Sequence, residues 1–267
     1  MGLATLYTRA VVGITAAEVT VETHLANGLP GFSIVGLPEM AVRESKERVR
    51  AAIQNSRFEF PARRITVNLA PADLPKEGGS YDLAIALGLL AASGQIASDQ
   101  LQRYEFAGEL ALSGELRGVR GVLPMALQCA ESGRAFIVAR PSASEAALVE
   151  GAEILPAASL LEVTSHLNGQ QLLTSEVTPP EERVVVAAEP TVDMADICGQ
   201  HQARRALEIA AAGGHNLLFF GPPGTGKTML ASRMATILPE MSSEEALESA
   251  TVTSISSRGF DISAWRC

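Results

Sequence analysis

The chain has 267 residues, 47% of them hydrophobic and 19% charged, which excludes a disordered tail and suits one large or two ordinary globular domains. Its formal charge of −9 excludes a global positive field for nucleic acid, so any such contact must come from a local patch. Three scattered cysteines, Cys129, Cys198 and Cys267, speak against a disulfide framework and fit a reducing, cytoplasmic setting. There is no export signal, no run of about 18 apolar residues, and no CxxC or HExxH spacing for a protein-built metal centre.

In chain order, residues 18–26 (EVTVETHLA) place Val19, Val21, Thr23 and Leu25 on one face, the period of a half-buried strand. GFSIVG, between the turn-forming NGLPG and GLPE, reads as a second strand. Residues 39–55 predict a helix with Val42, Val49 and Ile53 on its inner stripe. RITVNLA predicts a strand and YDLAIALGLLAA an apolar helix. YEFAGELAL, a helix over 121–131, AFIVA and two short helices continue the alternation, predicting a mixed α/β domain over 1–168. Residues 169–192 are polar, with Pro179, Pro180 and Pro190, and read as a linker. A second unit over 193–267 begins with a helix through GQHQARRALEIAAAGG. The strand NLLFF, a loop and the helix TMLASRMATIL follow.

That loop is GPPGTGKT, residues 221–228, and it fits GxxxxGK[ST] between a strand pattern and a helix pattern. Gly221, Gly224 and Gly226 allow backbone N–H groups to approach phosphate oxygens, with Pro222, Pro223 and Thr225 between them. Lys227 is placed to neutralise β/γ-phosphate charge, and the Thr228 hydroxyl to ligate Mg2+. The residues thus predict an ATP and Mg2+ site. Hydrolysis needs a further acidic residue at a neighbouring strand end. Glu244, Glu245 and Glu248 instead lie on a helix-like polar run, and ATVTSI is the one further candidate strand. No catalytic residue is assigned.

NGLPGFSIVGLPEMAVRESKERVRAAIQNSRFEFPARRITVNLAPADLPKEGGSYDLAIALGLLAAS, GELALSGELRGVRGVLPMA and DICGQHQARRALEIAAAGGHNLLFFGPPGTGKTMLA together resemble the YifB/ComM family of Mg-chelatase-like AAA+ ATPases. The resemblance covers nearly the whole chain. It implies an N-terminal domain with the Lon-protease-like, ribosomal-protein-like α/β fold, followed by a P-loop AAA+ module. It also implies a homo-hexameric, ATP-driven motor that moves DNA branches. Family members are longer and supply the acidic strand, sensors and arginine finger, so the AAA+ module is expected here as an incomplete start and the chain as a truncated member that hydrolyses little ATP. The helix carrying Glu208 is expected beside the adenine pocket, by analogy of fold.

Ser80, in PKEGGSYD, matches the position of the Lon nucleophile. A serine–lysine dyad needs a nearby amine, and GELALSGELRGVRGVLPMA has Leu123 and Pro124 where the family's lysine lies. Arg117 and Arg120 do not deprotonate at working pH. Ser80 therefore reads as a helix cap, with Asp82 in the first turn, and the domain as a proteolytic fold without its chemistry.

Arg43, Lys46, Arg48, Arg50, Arg57, Arg63 and Arg64 outnumber Glu44, Glu47 and Glu59 by four charges. Two readings fit. Glu39/Arg43 and Glu44/Arg48 have i,i+4 spacing and suit a solvated helix face. The excess also suits phosphate backbone, and hence DNA, with Phe58 and Phe60 nearby. A non-catalytic DNA- or subunit-binding module is the alternative function, with a Lon-like serine peptidase at Ser80 ranked after it.

Overall fold

The computed structural model describes residues 2–176, 192–256, 260 and 262. They fall into two compact units, one within 1–183 and 247–265, the other within 184–246 and 266–267.

The first unit opens on a long hairpin, β1 (Gly2–Val12) and β2 (Thr15–Ala26), with Val12 opposite Thr15. Gly13 supplies the positive φ, 59°, that so tight a hairpin loop requires. Next come β3 (Gly31–Val35), α1 (Met40–Asn55), β4 (Arg64–Ala70) and α2 (Asp82–Ala92). β5 (Tyr104–Ala107), β6 (Glu109–Leu110), β7 (Leu116–Arg117) and α3 (Val122–Glu131) follow. β8 (Ala135–Ala139), α4 (Arg140–Ala146), β9 (Ile154–Ala157) and α5 (Leu160–Leu167) complete the alternation.

Seven strands form one mixed sheet in the order β3-β4-β2-β1-β5-β8-β9. β2 runs antiparallel to β1 and β4, and the other neighbours pair in parallel. Val19, Val21, Thr23 and Leu25 are buried together, as their alternation predicts. They face α2, whose residues from Asp82 to Leu90 are buried all round, the state expected of a helix without a polar face. At Gly88 a side chain would collide with the Thr23 hydroxyl, so glycine sets how closely helix and sheet approach. A side chain there would also touch Leu6, while Arg9 bonds to Gln128 and Ser132 on the α3 side. Residues 6 and 9 have opposite parity on β1, so α2 and α3 cover opposite faces.

The second unit contains α6 (His201–Gly213) and α7 (Lys227–Arg233). α8 (Ser243–Ile255) follows, and from Leu247 onward it belongs to the first unit. Met194, Ile197, Leu207 and Leu230 make the second unit's small core.

Several expectations need correction. β1 and β9 were not foreseen: β1 buries a charged residue, Arg9, which breaks its apolar pattern, and β9 is short and contains a proline. NLLFF does not form a strand. Leu218 and Phe220 are 84% and 91% exposed, and among the described residues no neighbouring strand pairs with it. ATVTSI is part of α8 rather than a strand. The helix over TMLASRMATIL stops at Arg233 and tightens into a 3-10 turn over Met234–Thr236. Of the expected linker, residues 177–191 lie outside the described residues, and Glu176 donates its N–H to Ile154 O at 2.8 Å on the β9 edge.

Candidate functional site

In the second unit, Asp193 closes a capping box: Oδ1 accepts the Ala195 N–H at 2.7 Å and its own N–H donates to Asp196 Oδ2 at 2.9 Å. Arg233 on α7 reaches the same Asp196 at 3.4 Å. α6 turns Leu207, Ala210 and Ala211 inward and ends on Gly214, at φ 61°. Leu230 anchors α7 against Leu207 and Ile197. These contacts pack α6 and α7 together, and residues 221–226 lead directly into the first turn of α7. Glu208 is exposed and pairs with Arg205 at 3.0 Å.

Within the loop, Gly224 and Gly226 have φ of 81° and 82°, backbone that residues with side chains rarely adopt. Nothing lies within 4 Å of where a Cβ would stand at either, so the backbone there is uncovered on that side. Thr225 Oγ1 donates to Pro222 O at 3.0 Å and braces the turn. Lys227 Nζ donates to Gly221 O at 3.0 Å and Pro222 O at 2.6 Å, so its charge lies over the loop. Thr228 is exposed on the first turn of α7, and no side chain caps that helix. The amine, the hydroxyl and the open glycine backbone are the donor set a phosphate chain with its cation requires.

Ser80 lines a cleft of about 610 Å3 in the first unit with Glu77, Glu109, Arg120 and Met125. It does not cap α2: Tyr81 occupies the N-cap position without a side-chain cap bond. Asp82 lies in the first turn of α2, as expected, where it is fully buried and bonded to Arg48. Lys76 is fully buried, its amine donating to Pro71 O, and burial lowers its pKa. The ionisable groups lining the Ser80 cleft are two carboxylates, the Tyr81 phenol and a guanidinium, so the lining places no amine beside the hydroxyl.

The basic stretch divides. Arg48 Nε lies 2.7 Å from Asp82 Oδ2, and Arg43 Nε donates to Pro38 O at 3.1 Å, so neither forms the expected i,i+4 pair. Lys46 and Arg50 instead stand over the rings of Phe32 and Phe60, at 5.9 and 4.9 Å. Arg57, Arg63 and Arg64 are exposed. Phe58 and Phe60 are half-buried against the core, as expected of aromatics near a turn. Phe32 was missed as a candidate: it lies on β3, and only the β3–β4 pairing brings it near Phe60.

Two family models match the chain: "Subunit ChlI of Mg-chelatase" over residues 21–142 and "Magnesium chelatase, subunit ChlI" over residues 193–267. Together with the glycine loop they define a Mg-chelatase-like protein. Competence protein ComM of Haemophilus influenzae is 53% identical over 268 residues, covering 100% of this chain and 52% of the relative. The uncharacterized protein YifB of Escherichia coli is 52% identical over 255 residues, covering 96% of this chain and 50% of its own length. An uncharacterized Mycobacterium tuberculosis protein is 40% identical over 256 residues, with 96% and 50% covered. The chain belongs to the YifB/ComM family of Mg-chelatase-like AAA+ ATPases. It spans about half the length of the curated relatives it matches. Among the described residues no helix is long and apolar enough to cross a membrane, and no cluster of three or more His, Cys, Asp or Glu could hold a metal. Cys129 is buried and Cys198 exposed, both as free thiols.

Proposed function

We propose that this chain carries the ATP-binding loop of a DNA-remodelling motor. Gly221, Pro222, Pro223, Gly224, Thr225 and Gly226 form the phosphate cradle, Lys227 meets the β/γ-phosphates, and Thr228 holds Mg2+. A bound nucleotide would supply the anionic phosphate chain that the loop holds, and the cation would offset part of its charge. The observation that carries the reading is the left-handed, uncovered backbone at Gly224 and Gly226 with the Lys227 amine over the same loop. On binding, that amine exchanges the carbonyls of Gly221 and Pro222 for phosphate oxygens.

Residues 1–168 act as a Lon-like domain without proteolysis, 169–192 as a linker, and 193–267 as the start of the AAA+ module. Glu244, Glu245 and Glu248 are exposed on α8, a helix, so no residue is assigned to activate water and the proposed activity is binding rather than turnover. DNA is the macromolecular partner, met through basic residues between Arg43 and Arg64. The longer relatives assemble as homo-hexamers in this reading.

Titration of a fluorescent ATP analogue with Mg2+ present tests the loop. Wild-type chain should bind, and Lys227→Ala should bind at least about tenfold more weakly. Equal affinities would remove the loop from the reading.

A further inference from the structure

Lys46, Arg50 and Gln54 follow one another at i,i+4 spacing on α1 and form a single stripe. The stripe borders a cleft of about 470 Å3 whose walls include Phe32, Phe60 and Arg63. That volume lies within the roughly 300–1,000 Å3 of small-ligand clefts. Phe32 and Phe60 sit with ring centroids 6.1 Å apart at 45°, packed against the main core, so the aromatic wall is held firmly from behind.

Among the described residues no carboxylate is paired with Lys46, Arg50 or Arg63, and Glu47 is the single acid in the lining. Lys46 and Arg50 rest over the two phenyl rings instead, a contact of about 0.5–1 kcal/mol at exposed sites that gathers their charged ends at the cleft. Arg48, two residues from each, is removed from the stripe by its bond to Asp82. In a chain of net charge −9, the result is a local cluster of cations at a wall of two aromatic rings tilted by 45°.

A ligand that satisfies both features carries a planar π-face joined to negative charge. An acidic peptide uses the rim and leaves the wall bare. A duplex keeps its bases stacked within the helix and offers the wall nothing. We infer that this cleft binds one unstacked nucleotide of a single-stranded nucleic acid: the base takes the faces of Phe32 and Phe60 that Lys46 and Arg50 cover in the free chain, and those two side chains swing to the flanking phosphates beside Arg63. The Gln54 amide, which donates and accepts, faces the base edge from the same stripe. The inference rests on the nucleic-acid partner of the proposed function, narrows its place to this cleft and assigns it a strandedness.

Fluorescence anisotropy with a labelled 15-residue oligothymidylate, the full chain and no ATP tests it. Lys46→Glu/Arg50→Glu should weaken binding at least about tenfold and flatten the log K against log salt slope by about 1.4, two phosphate contacts' worth for a single strand. Phe60→Leu should weaken binding about fivefold or more with the slope unchanged. Arg103→Glu, an exposed site off the cleft, should stay within about twofold. A blunt duplex should bind at least about tenfold more weakly than the single strand. The inference fails if the double variant binds like wild type, if duplex binds as tightly, or if dTMP or polyglutamate competes as well per residue as oligothymidylate. Wild type that binds neither oligothymidylate nor branched DNA removes the DNA partner as well. Wild-type binding that survives the double variant removes this cleft alone.

Discussion

Arg48 and Asp82 tie α1 to the head of α2 through two bonds, Nε to Oδ2 at 2.7 Å and Nη2 to Oδ1 at 3.1 Å. Asp82 is fully buried and also accepts the Leu110 N–H at 3.2 Å. Burial pushes its carboxyl pKa up, and the guanidinium opposes that shift. Leaving this carboxylate unpaired costs more than forgoing a surface bond to Glu44, which is why Arg48 turns inward. Arg48→Ala should therefore lower unfolding free energy by about 3 kcal/mol in urea titrations, and Glu44→Ala by less than about 0.5 kcal/mol. Equal small losses would place the Arg48 bond in the surface class.

A second buried pair anchors β1 to β5. Arg9 Nε and Nη2 lie 2.6 and 2.7 Å from the Glu105 oxygens, and Arg134 adds a bond at 2.9 Å. Glu105→Ala would leave Arg9, 4% exposed, without its carboxylate. A loss of about 3–5 kcal/mol is expected by chemical denaturation. A loss under about 1 kcal/mol would mean that water reaches the site and solvates Arg9.

His166 gives the first unit a pH dependence. Its Nδ1 accepts the Leu173 N–H at 3.1 Å and its Nε2 lies 3.2 Å from the Tyr104 hydroxyl, an arrangement that requires the neutral ring. Burial lowers its pKa below the ordinary value, with Glu153 opposing. The unfolded chain then holds more protons between the folded pKa and about 6.5. Stability from His166 is complete above about 6.5 and declines as pH falls through that value toward the folded pKa. Melting temperatures from pH 7.5 to 5 should fall more steeply for wild type than for His166→Gln; parallel curves would contradict the assignment.

Much of the fold was legible because its signals are local. The alternation of Val19, Val21, Thr23 and Leu25, and the unbroken apolarity of α2, follow directly from which faces are covered. What escaped depends on partners distant in the chain. Arg9 disguised β1 because Glu105, which makes its burial tolerable, lies 96 residues away. The apolar run NLLFF carries strand chemistry, but a strand also needs a neighbour, and the described residues provide none. Residues 221–228 stand out as a motif because glycines and side-chain donors fall within eight consecutive positions. The Phe32–Phe60 wall does not, since strand pairing assembles it.

Thr228 should matter through the cation alone. Thr228→Ala should lower affinity for the ATP analogue several-fold when Mg2+ is present and little when it is chelated, read by the same titration. An equal loss in both conditions would point to a damaged loop instead.

Competition against bound ATP analogue by unlabelled ATP, inorganic tripolyphosphate and AMP separates phosphate recognition from base recognition. If Lys227 and the loop glycines hold the phosphate chain, ATP and tripolyphosphate displace the analogue at comparable concentrations, AMP fails at about tenfold higher concentration, and Lys227→Ala abolishes the difference. Displacement by AMP as readily as by ATP, unaffected by Lys227→Ala, would contradict a phosphate-binding loop at residues 221–228.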